Sequence, residues 1–182
     1  WGKRARFFLE RNLDVFIIDY RGFGKSSAGF KEHWFLEDSL AAFDYLKKSH
    51  AEENIIVYGC SLGTSMAAWV AANRSPKKLI LESPFYSMLA AAAYAKPYLP
   101  LWAVKAVLKY PLQTHKWIGD VRAPIYIFHG KNDKIVPFAH SELLYEKVKK
   151  SNNEVVFIPL EDWGHSHLEN HDYYQVRIEE IL

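Results

Sequence analysis

The chain has 182 residues, of which 49% are hydrophobic and 24% are charged, a composition typical of one globular domain with a substantial core. Its formal net charge is +2 and it has no long basic run, so nothing in the sequence indicates a nucleic-acid partner. The single cysteine, Cys60, excludes an intramolecular disulfide and fits a reducing compartment. The most apolar region, residues 87–111, is interrupted by lysines and prolines, which excludes a continuous bilayer-spanning segment there.

Apolar periodicity predicts helices and strands that alternate along the chain. The predicted helices cover residues 2–12, 34–50, 62–74, 138–150 and 166–182. The predicted strands, numbered first to fifth, cover residues 13–19, 54–59, 77–83, 124–130 and 154–160. Such alternation is typical of a mostly parallel sheet with helices on both faces, so we predict an α/β fold forming a single domain over residues 1–182. In such sheets the functional site lies at the carboxyl ends of the strands.

The run "VYGCSLGTSM" places Ser61 between Gly59 and Gly63, where the second strand gives way to a helix. The pattern G-x-S-x-G at such a junction forms a sharp turn that exposes the serine Oγ. We expect both glycines to be required, because a side chain at either position would collide with the turn or with neighbouring strands. The helix directs its free N–H groups and positive dipole end at the site, so the Leu62 N–H is the candidate oxyanion donor.

Two other interpretations of this run exist. The turn could be a glycine-rich surface loop with an idle serine. Cys60 could also be the nucleophile, but it occupies the wrong position of the turn, and we expect it to be a small buried apolar residue.

Candidate partners for Ser61 follow the fourth and fifth strands. Asp133 follows the fourth strand and is the candidate acid that orients and stabilises an imidazolium. His165 follows the fifth strand and is the candidate general base, since Gly164 before it suits a close approach of the backbone to the site. Asp162 and His167 are the alternatives for these two roles.

Five segments of the chain resemble serine hydrolases of the α/β-hydrolase superfamily: "DYRGFGKSS", "VYGCSLGTSMA", "LILESPF", "PIYIFHGKNDKIVP" and "WGHSH". Within it, the chain most resembles the serine aminopeptidase-like hydrolases and the α/β-hydrolase-domain proteins related to acyl-protein depalmitoylases. The order Ser61, Asp133, His165 is also the order of that superfamily. The resemblance implies the α/β-hydrolase fold, with Ser61 as nucleophile, Asp133 as acid and His165 as base, and with no metal or organic cofactor.

The resemblance also implies a His–Gly loop after an earlier strand, which supplies a second oxyanion donor. The chain contains no such loop before its first predicted helix. We therefore expect the chain to be an N-terminally truncated domain that lacks its first strands and its oxyanion loop. Its location would then be cytoplasmic, or membrane-anchored through the missing N-terminal segment.

Residues 84–120 separate the third and fourth strands and are too long for a plain crossover helix. We predict one or two short helices forming a cap over the site. Because this segment is apolar and aromatic, it would suit an acyl chain or another apolar substrate group. Two alternatives stay open: the same residues could simply pack on the sheet, or the cap could rest on a membrane with Lys96, Lys105 and Lys109 facing lipid headgroups.

These patterns support two functional hypotheses. The first is a monomeric serine hydrolase that cleaves an ester, thioester or amide of a small-molecule or acyl substrate through an acyl-enzyme. The second is a non-catalytic module of the same fold that binds a ligand or a partner. Three candidate residues at strand ends in the expected order favour the first hypothesis, whereas the missing oxyanion loop favours the second.

Overall fold

A computed structural model describes residues 1–27, 29, 31–151 and 154–182. The helices of the described residues are α1 (Gly2–Leu9), α2 (Glu32–Leu46), α3 (Gly63–Asn73), α4 (Met88–Ala95), α5 (Leu101–Val107), α6 (Thr114–Trp117), α7 (Ala139–Lys150) and α8 (Asp172–Ile181). The strands are β1 (Ile56–Cys60), β2 (Lys78–Glu82), β3 (Ile125–Gly130) and β4 (Val155–Leu160). Short 3₁₀ turns cover Glu52–Asn54, Ile118–Asp120 and Leu168–Asn170.

The strands form one parallel sheet in the order β1-β2-β3-β4. The register pairs Cys60 with Glu82, Glu82 with Phe128, and Gly130 with Leu160. The carboxyl ends of all four strands therefore lie at one edge of the sheet. Loops that leave this edge can bring distant parts of the sequence together.

Helices cover both faces of the sheet, as the alternation of elements predicts. One face packs against α3 and α7 through the buried residues Leu79, Leu81, Ile125, Ile127, Ala67, Ala71, Leu144 and Val148. The opposite face packs against α1 and α8 through Ile80, Phe128, Ile158, Phe8, Tyr174 and Ile178. Consecutive residues of β2 thus face opposite layers, which is why the buried strands are apolar almost throughout.

The strand predicted at residues 13–19 is wrong, because the structure has no strand there. Leu13 and Val15 pack against the layer formed by α1 and α8, but Phe16 and Ile17 are 48% and 45% exposed. The apolar run is thus covered on one side and not on both. Apolar character alone does not make a strand, since a strand also needs a neighbour for its backbone hydrogen bonds, and among the described residues this segment forms no such ladder.

The segment after β2 is helical, with more pieces than the one or two predicted. It contains α4, α5 and α6, followed by the Ile118–Asp120 turn. Part of it packs on the body of the protein, since Phe85, Val104 and Leu112 are buried. Within the described part of the chain, no helix combines the length and apolar character needed to cross a bilayer.

Candidate active site

The turn between β1 and α3 holds Ser61 in a left-handed backbone conformation, with φ of 49°. The Ser61 N–H donates to the carbonyl oxygen of Glu82 at 2.9 Å. Its own carbonyl oxygen accepts from the Thr64 N–H at 3.0 Å and from the Thr64 hydroxyl at 2.6 Å. These bonds on both sides hold a conformation that a non-glycine residue rarely adopts, as is common at functional sites.

The two glycines that flank Ser61 differ in whether a side chain would fit at their positions. A Cβ on Gly59 would lie 2.6 Å from the Gly63 carbonyl oxygen and 2.7 Å from the Ala67 Cβ, so the turn has no room for a side chain there. A Cβ on Gly63 would meet nothing within 4 Å. The expected collision is therefore correct for Gly59 and wrong for Gly63, which begins α3 with its Cα hydrogens facing open space.

The structure brings the three residues from separate strand ends into one hydrogen-bonded chain. His165 Nε2 lies 3.0 Å from Ser61 Oγ, and His165 Nδ1 lies 2.6 Å from Asp133 Oδ2. An ionised carboxylate can only accept, so the proton lies on Nδ1 and Nε2 is left free to accept from the serine hydroxyl. The catalytic roles of these three residues stay predictions, but the geometry required by those roles is present.

Asp133 is held in its ionised form. Its other oxygen, Oδ1, accepts the Ile135 N–H at 2.8 Å and the Val136 N–H at 2.9 Å. Burial by itself would raise the pKa of Asp133, but hydrogen bonds from His129, His165 and these two N–H groups outweigh burial and hold that pKa well below its usual range. Asp133 can therefore orient His165 and stabilise its protonated form without taking up the proton itself.

His129 contacts the candidate acid, although the sequence indicates only a strand-end residue at this position. It is fully buried, with Nε2 lying 3.1 Å from Asp133 Oδ2 and 3.0 Å from the Val136 carbonyl oxygen. Its Nδ1 lies 2.6 Å from Ser141 Oγ on α7. His129 thus contacts the same carboxylate oxygen of Asp133 that His165 contacts, and helps to hold it in place. Its position in the sequence could have indicated this contact, because His129 lies near the end of a buried strand and precedes the candidate acid by only four residues.

The structure separates the candidate residues from their rivals. The His167 side chain is 64% exposed, and its Nδ1 lies 3.3 Å from Glu169 rather than near Ser61. Asp162 is exposed in a turn. Burial raises the pKa of Cys60 to about 12, with a further contribution from the Glu82 charge, so this thiol is un-ionised at neutral pH and a poor nucleophile.

The loop that carries His165 does come close to the backbone of another strand end, but Gly164 is not the glycine that this approach requires. A Cβ on Gly164 would meet nothing within 4 Å. A Cβ on Gly130, at the end of β3, would lie 2.4 Å from the carbonyl oxygens of both Trp163 and Gly164. The bare backbone at Gly130 therefore lets the histidine loop lie directly over the strand that leads to Asp133.

Leu62 follows the nucleophile and is the N-cap of α3. The first N–H groups of a helix have no intrahelical acceptor, so this position can offer a backbone donor beside Ser61. The assignment of Leu62 as an oxyanion donor stays a prediction. Among the described residues, no cluster of three or more His, Cys, Asp or Glu side chains could hold a metal ion.

A buried ionic network lies behind the turn. The fully buried carboxylate of Glu82 accepts from the Tyr174 hydroxyl and lies 3.3 Å from Arg4, which also lies 3.4 Å from Glu169. Burial raises the pKa of Glu82, while the Arg4 guanidinium and the Tyr174 hydroxyl oppose that rise. Because the Glu82 carbonyl also anchors Ser61, this network ties the nucleophile turn to α1 and α8.

One cavity of about 670 Å³ lies between the end of α3 and the Ile118–Asp120 turn. None of its lining residues belongs to the Ser61, His165 and Asp133 group. We therefore assign this cavity no role in the candidate active site.

Comparison with known proteins agrees with this fold. The sequence profile of the prolyl oligopeptidase family matches residues 2–181. The human alpha/beta hydrolase domain-containing protein 17B is 29% identical over 188 residues, covering 100% of this chain and 62% of that protein. WAV2, an alpha/beta hydrolase domain-containing protein of Arabidopsis thaliana, is 29% identical over 169 residues, covering 85% of this chain and 55% of that protein. The chain thus spans somewhat more than half the length of these two curated relatives.

Solved structures confirm the fold. The esterase Pf2001 of Pyrococcus furiosus superposes with a TM-score of 0.81 and 21% identity, covering 100% of this chain and 73% of that chain. The acylaminoacyl peptidase of Pyrococcus horikoshii superposes with a TM-score of 0.62 and 21% identity, covering 80% of this chain and 26% of that chain. The fold, the family profile and the relatives agree: this chain belongs to the prolyl oligopeptidase family of the α/β-hydrolase superfamily.

Proposed function

We propose that this protein is a serine hydrolase that cleaves an ester, thioester or amide through an acyl-enzyme on Ser61. The observation that carries the proposal is the continuous chain of hydrogen bonds from Ser61 Oγ through His165 to Asp133, at 3.0 and 2.6 Å. If the turn were only a surface loop with a serine of no function, this alignment of three side chains from separate strand ends would not be expected. Membership of a hydrolase family further supports this chemistry.

In the proposed reaction, His165 Nε2 accepts the hydroxyl proton of Ser61 while Oγ attacks the substrate carbonyl carbon. The carbonyl oxygen becomes an oxyanion, and we assign the Leu62 N–H as one of its hydrogen-bond donors. As the tetrahedral intermediate collapses, His165 returns the proton to the leaving oxygen, sulfur or nitrogen, and the acyl group stays on Ser61. Water then loses a proton to His165 and attacks the acyl carbon. As the bond to Ser61 Oγ breaks, His165 returns the proton to Oγ and the acid is released. Asp133 stays ionised throughout.

A fluorophosphonate probe tests the proposal, because it forms a covalent bond with an activated serine and requires no knowledge of the substrate. We expect the protein to be labelled and the Ser61→Ala variant to be unlabelled. The matched control is Cys60→Ala, which removes the neighbouring nucleophile and should leave labelling unchanged. A folded protein that is not labelled would contradict the proposal and favour the binding module of the same fold.

Acyl esters, thioesters and anilides with a common acyl group would distinguish the possible leaving groups. Whichever of these substrates the protein hydrolyses should also be hydrolysed by Cys60→Ala, and not measurably by Ser61→Ala. Hydrolysis that survives in Ser61→Ala would arise from another group and would contradict the role assigned to this serine.

A further inference from the structure

The helical segment after β2 differs in charge from the rest of the chain. Residues 83–119 contain four lysines and no arginine, aspartate or glutamate, whereas the chain as a whole has 23 basic and 21 acidic residues. The segment therefore carries a formal charge of +4, and the remainder of the chain carries −2. A positive region of this kind favours an anionic partner, even though the protein is close to neutral as a whole.

The outer part of this segment is also apolar and exposed. Every residue from 94 to 102 is exposed. Tyr98, Trp102 and Val107 are 73%, 74% and 75% exposed. We define the cap tip by its exposed apolar and basic residues, which are Tyr94, Lys96, Tyr98, Leu99, Leu101, Trp102, Lys105, Val107 and Lys109. Large apolar side chains that are exposed as a group and bordered by polar residues mark interaction sites rather than ordinary surface.

The base of the cap holds the cap tip on the protein. Met88 and Ala91 of α4 pack against the cluster that contains Phe85 and Val136, and Val104 of α5 is buried. The Met88 N–H donates to the Pro111 carbonyl oxygen at 3.0 Å, which joins the two ends of the α4–α5 hairpin. The hairpin thus buries its inner side, and the exposed side chains of the cap tip have no counterpart among the described residues that covers them.

We propose that the cap tip binds the surface of a membrane that contains anionic lipids. Tyr and Trp have an apolar ring and a polar group, which suits the headgroup level of a bilayer. Lys side chains can bury their aliphatic stems while the ammonium group stays among lipid phosphates, as Lys96 can do from its position 5.9 Å from the Tyr98 ring centroid. Binding would be shallow, because α5 has seven residues and lies on the surface.

A protein partner fits the cap tip less well. The centres of protein–protein interfaces are depleted of lysine, whereas here three lysines are interleaved with the exposed aromatic and aliphatic residues. A partner protein would have to desolvate these ammonium groups or pair each one with a carboxylate. A lipid surface lets every lysine keep contact with water and phosphate.

Membrane binding through the cap tip would also place the site near lipid. The cap leaves β2 at Glu82, the residue whose carbonyl oxygen anchors Ser61, so both belong to the same edge of the sheet. Acyl groups presented at a membrane surface would then be within reach of the nucleophile. This consequence rests on the proposed hydrolase function, whereas membrane binding itself does not.

Co-sedimentation with vesicles tests the proposal, using the Ser61→Ala protein so that lipid hydrolysis does not interfere. We expect binding to phosphatidylcholine vesicles that contain phosphatidylserine, and weaker binding to phosphatidylcholine alone or at high salt. Replacing Tyr98, Trp102 and Val107 together by serine should weaken binding at least about tenfold. The matched control replaces three exposed apolar residues elsewhere, Leu143, Tyr173 and Val176, by serine and should bind as the parent does.

The lysines are tested in the same way. Replacing Lys96, Lys105 and Lys109 by glutamine should weaken binding to anionic vesicles on the order of 100-fold, at roughly fivefold per lysine. The same change at the exposed lysines 3, 149 and 150 alters the net charge equally and should have a much smaller effect. The proposal is overturned if the protein does not bind anionic vesicles, or if the test and control variants lose vesicle binding equally. It is also overturned if the cap tip instead joins two copies of the chain in solution. Because Ser61 is absent from this assay, its failure is independent of the labelling experiment.

Discussion

Ser61 and Glu82 are joined through their backbones, since the Ser61 N–H donates to the Glu82 carbonyl oxygen at 2.9 Å. The side chain of the same glutamate is fully buried beside Arg4 and Tyr174. One residue at the end of β2 therefore links the strained nucleophile turn to a buried ionic network. The position of the nucleophile depends on helices that contribute nothing to the reaction itself.

Arg4→Met should lower the free energy of unfolding by about 3 kcal/mol, because it leaves the buried Glu82 carboxylate without its counter-charge. The loss of stability should grow from pH 5 to pH 8. Without Arg4, burial raises the pKa of the Glu82 carboxyl in the folded protein, whereas Glu82 ionises at its ordinary pKa in the unfolded chain. Ionisation of Glu82 as the pH rises therefore favours the unfolded chain. Denaturant titration measures both quantities. Arg6→Met, at an exposed position of the same helix, is the control and should change stability little; equal losses would show that the ionic network contributes nothing.

Gly59→Ala should lower the free energy of unfolding by about 1–3 kcal/mol, because the new methyl group would lie 2.6 Å from the Gly63 carbonyl oxygen. Labelling of Ser61 should fall as well, since the turn must shift to make room. Gly63→Ala is the matched change and should leave stability unchanged or slightly raised, as its methyl group meets open space at the start of a helix. Thermal unfolding of both variants gives the comparison, and equal destabilisation would contradict the structure.

His165→Ala should reduce hydrolysis to about the level of Ser61→Ala, because removing either the nucleophile or its base disables the same step. His167→Ala should keep most of the activity, since that side chain is exposed and bonded to Glu169. Initial rates on one activated ester measure both variants. If the two histidines exchange these outcomes, the base has been assigned to the wrong residue.

Asp133→Asn should lower kcat about 10⁴-fold while leaving the fold intact, because an amide favours the wrong tautomer of His165. Stability should respond to pH as well. The native pKa of Asp133 is depressed, so the carboxylate stabilises the protein at pH values above its unfolded pKa of about 3.9, and this stabilisation is lost as the pH falls below about 4. The stability difference between the parent and Asp133→Asn should therefore shrink between pH 5 and pH 3. A constant difference over that range would contradict the depressed pKa.

His129→Ala should move the acid-induced loss of stability to higher pH, because Asp133 loses one of the partners that keep its pKa low. Turnover should fall as well, since Asp133 is less firmly held against His165. Ser141→Ala removes the hydroxyl at the far side of the imidazole and should reproduce the same shift in weaker form. Acid-induced unfolding followed by circular dichroism would detect both shifts. If His129→Ala unfolds at the same pH as the parent protein, His129 has no role in positioning Asp133.

Much of the fold follows from local patterns. The apolar runs at β1 to β4 are short and bounded by turns, and the helices between them show the expected period, so their places in the chain are predictable to within a few residues. The run at residues 13–19 has the same apolar character but no strand forms, because strand formation depends on a neighbour that local sequence does not specify. Among the described residues, the cap contains three helices rather than the one or two that the sequence predicts. Short helices are stabilised mainly by packing against other parts of the fold, which local sequence does not specify either.

The sequence by itself determined which chemistry-bearing residues stand at the ends of strands, since a strand, a turn and a helix are encoded by neighbouring residues. The tertiary structure alone decided which of them meet. It brought His165 rather than His167 to Ser61 and placed His129 beside Asp133. It also showed that Gly59 and Gly130, rather than Gly63 and Gly164, lie where a side chain would not fit. It also left the cap tip exposed rather than folded onto the sheet. These outcomes depend on distances between residues far apart in the chain, which only packing around the shared core can fix.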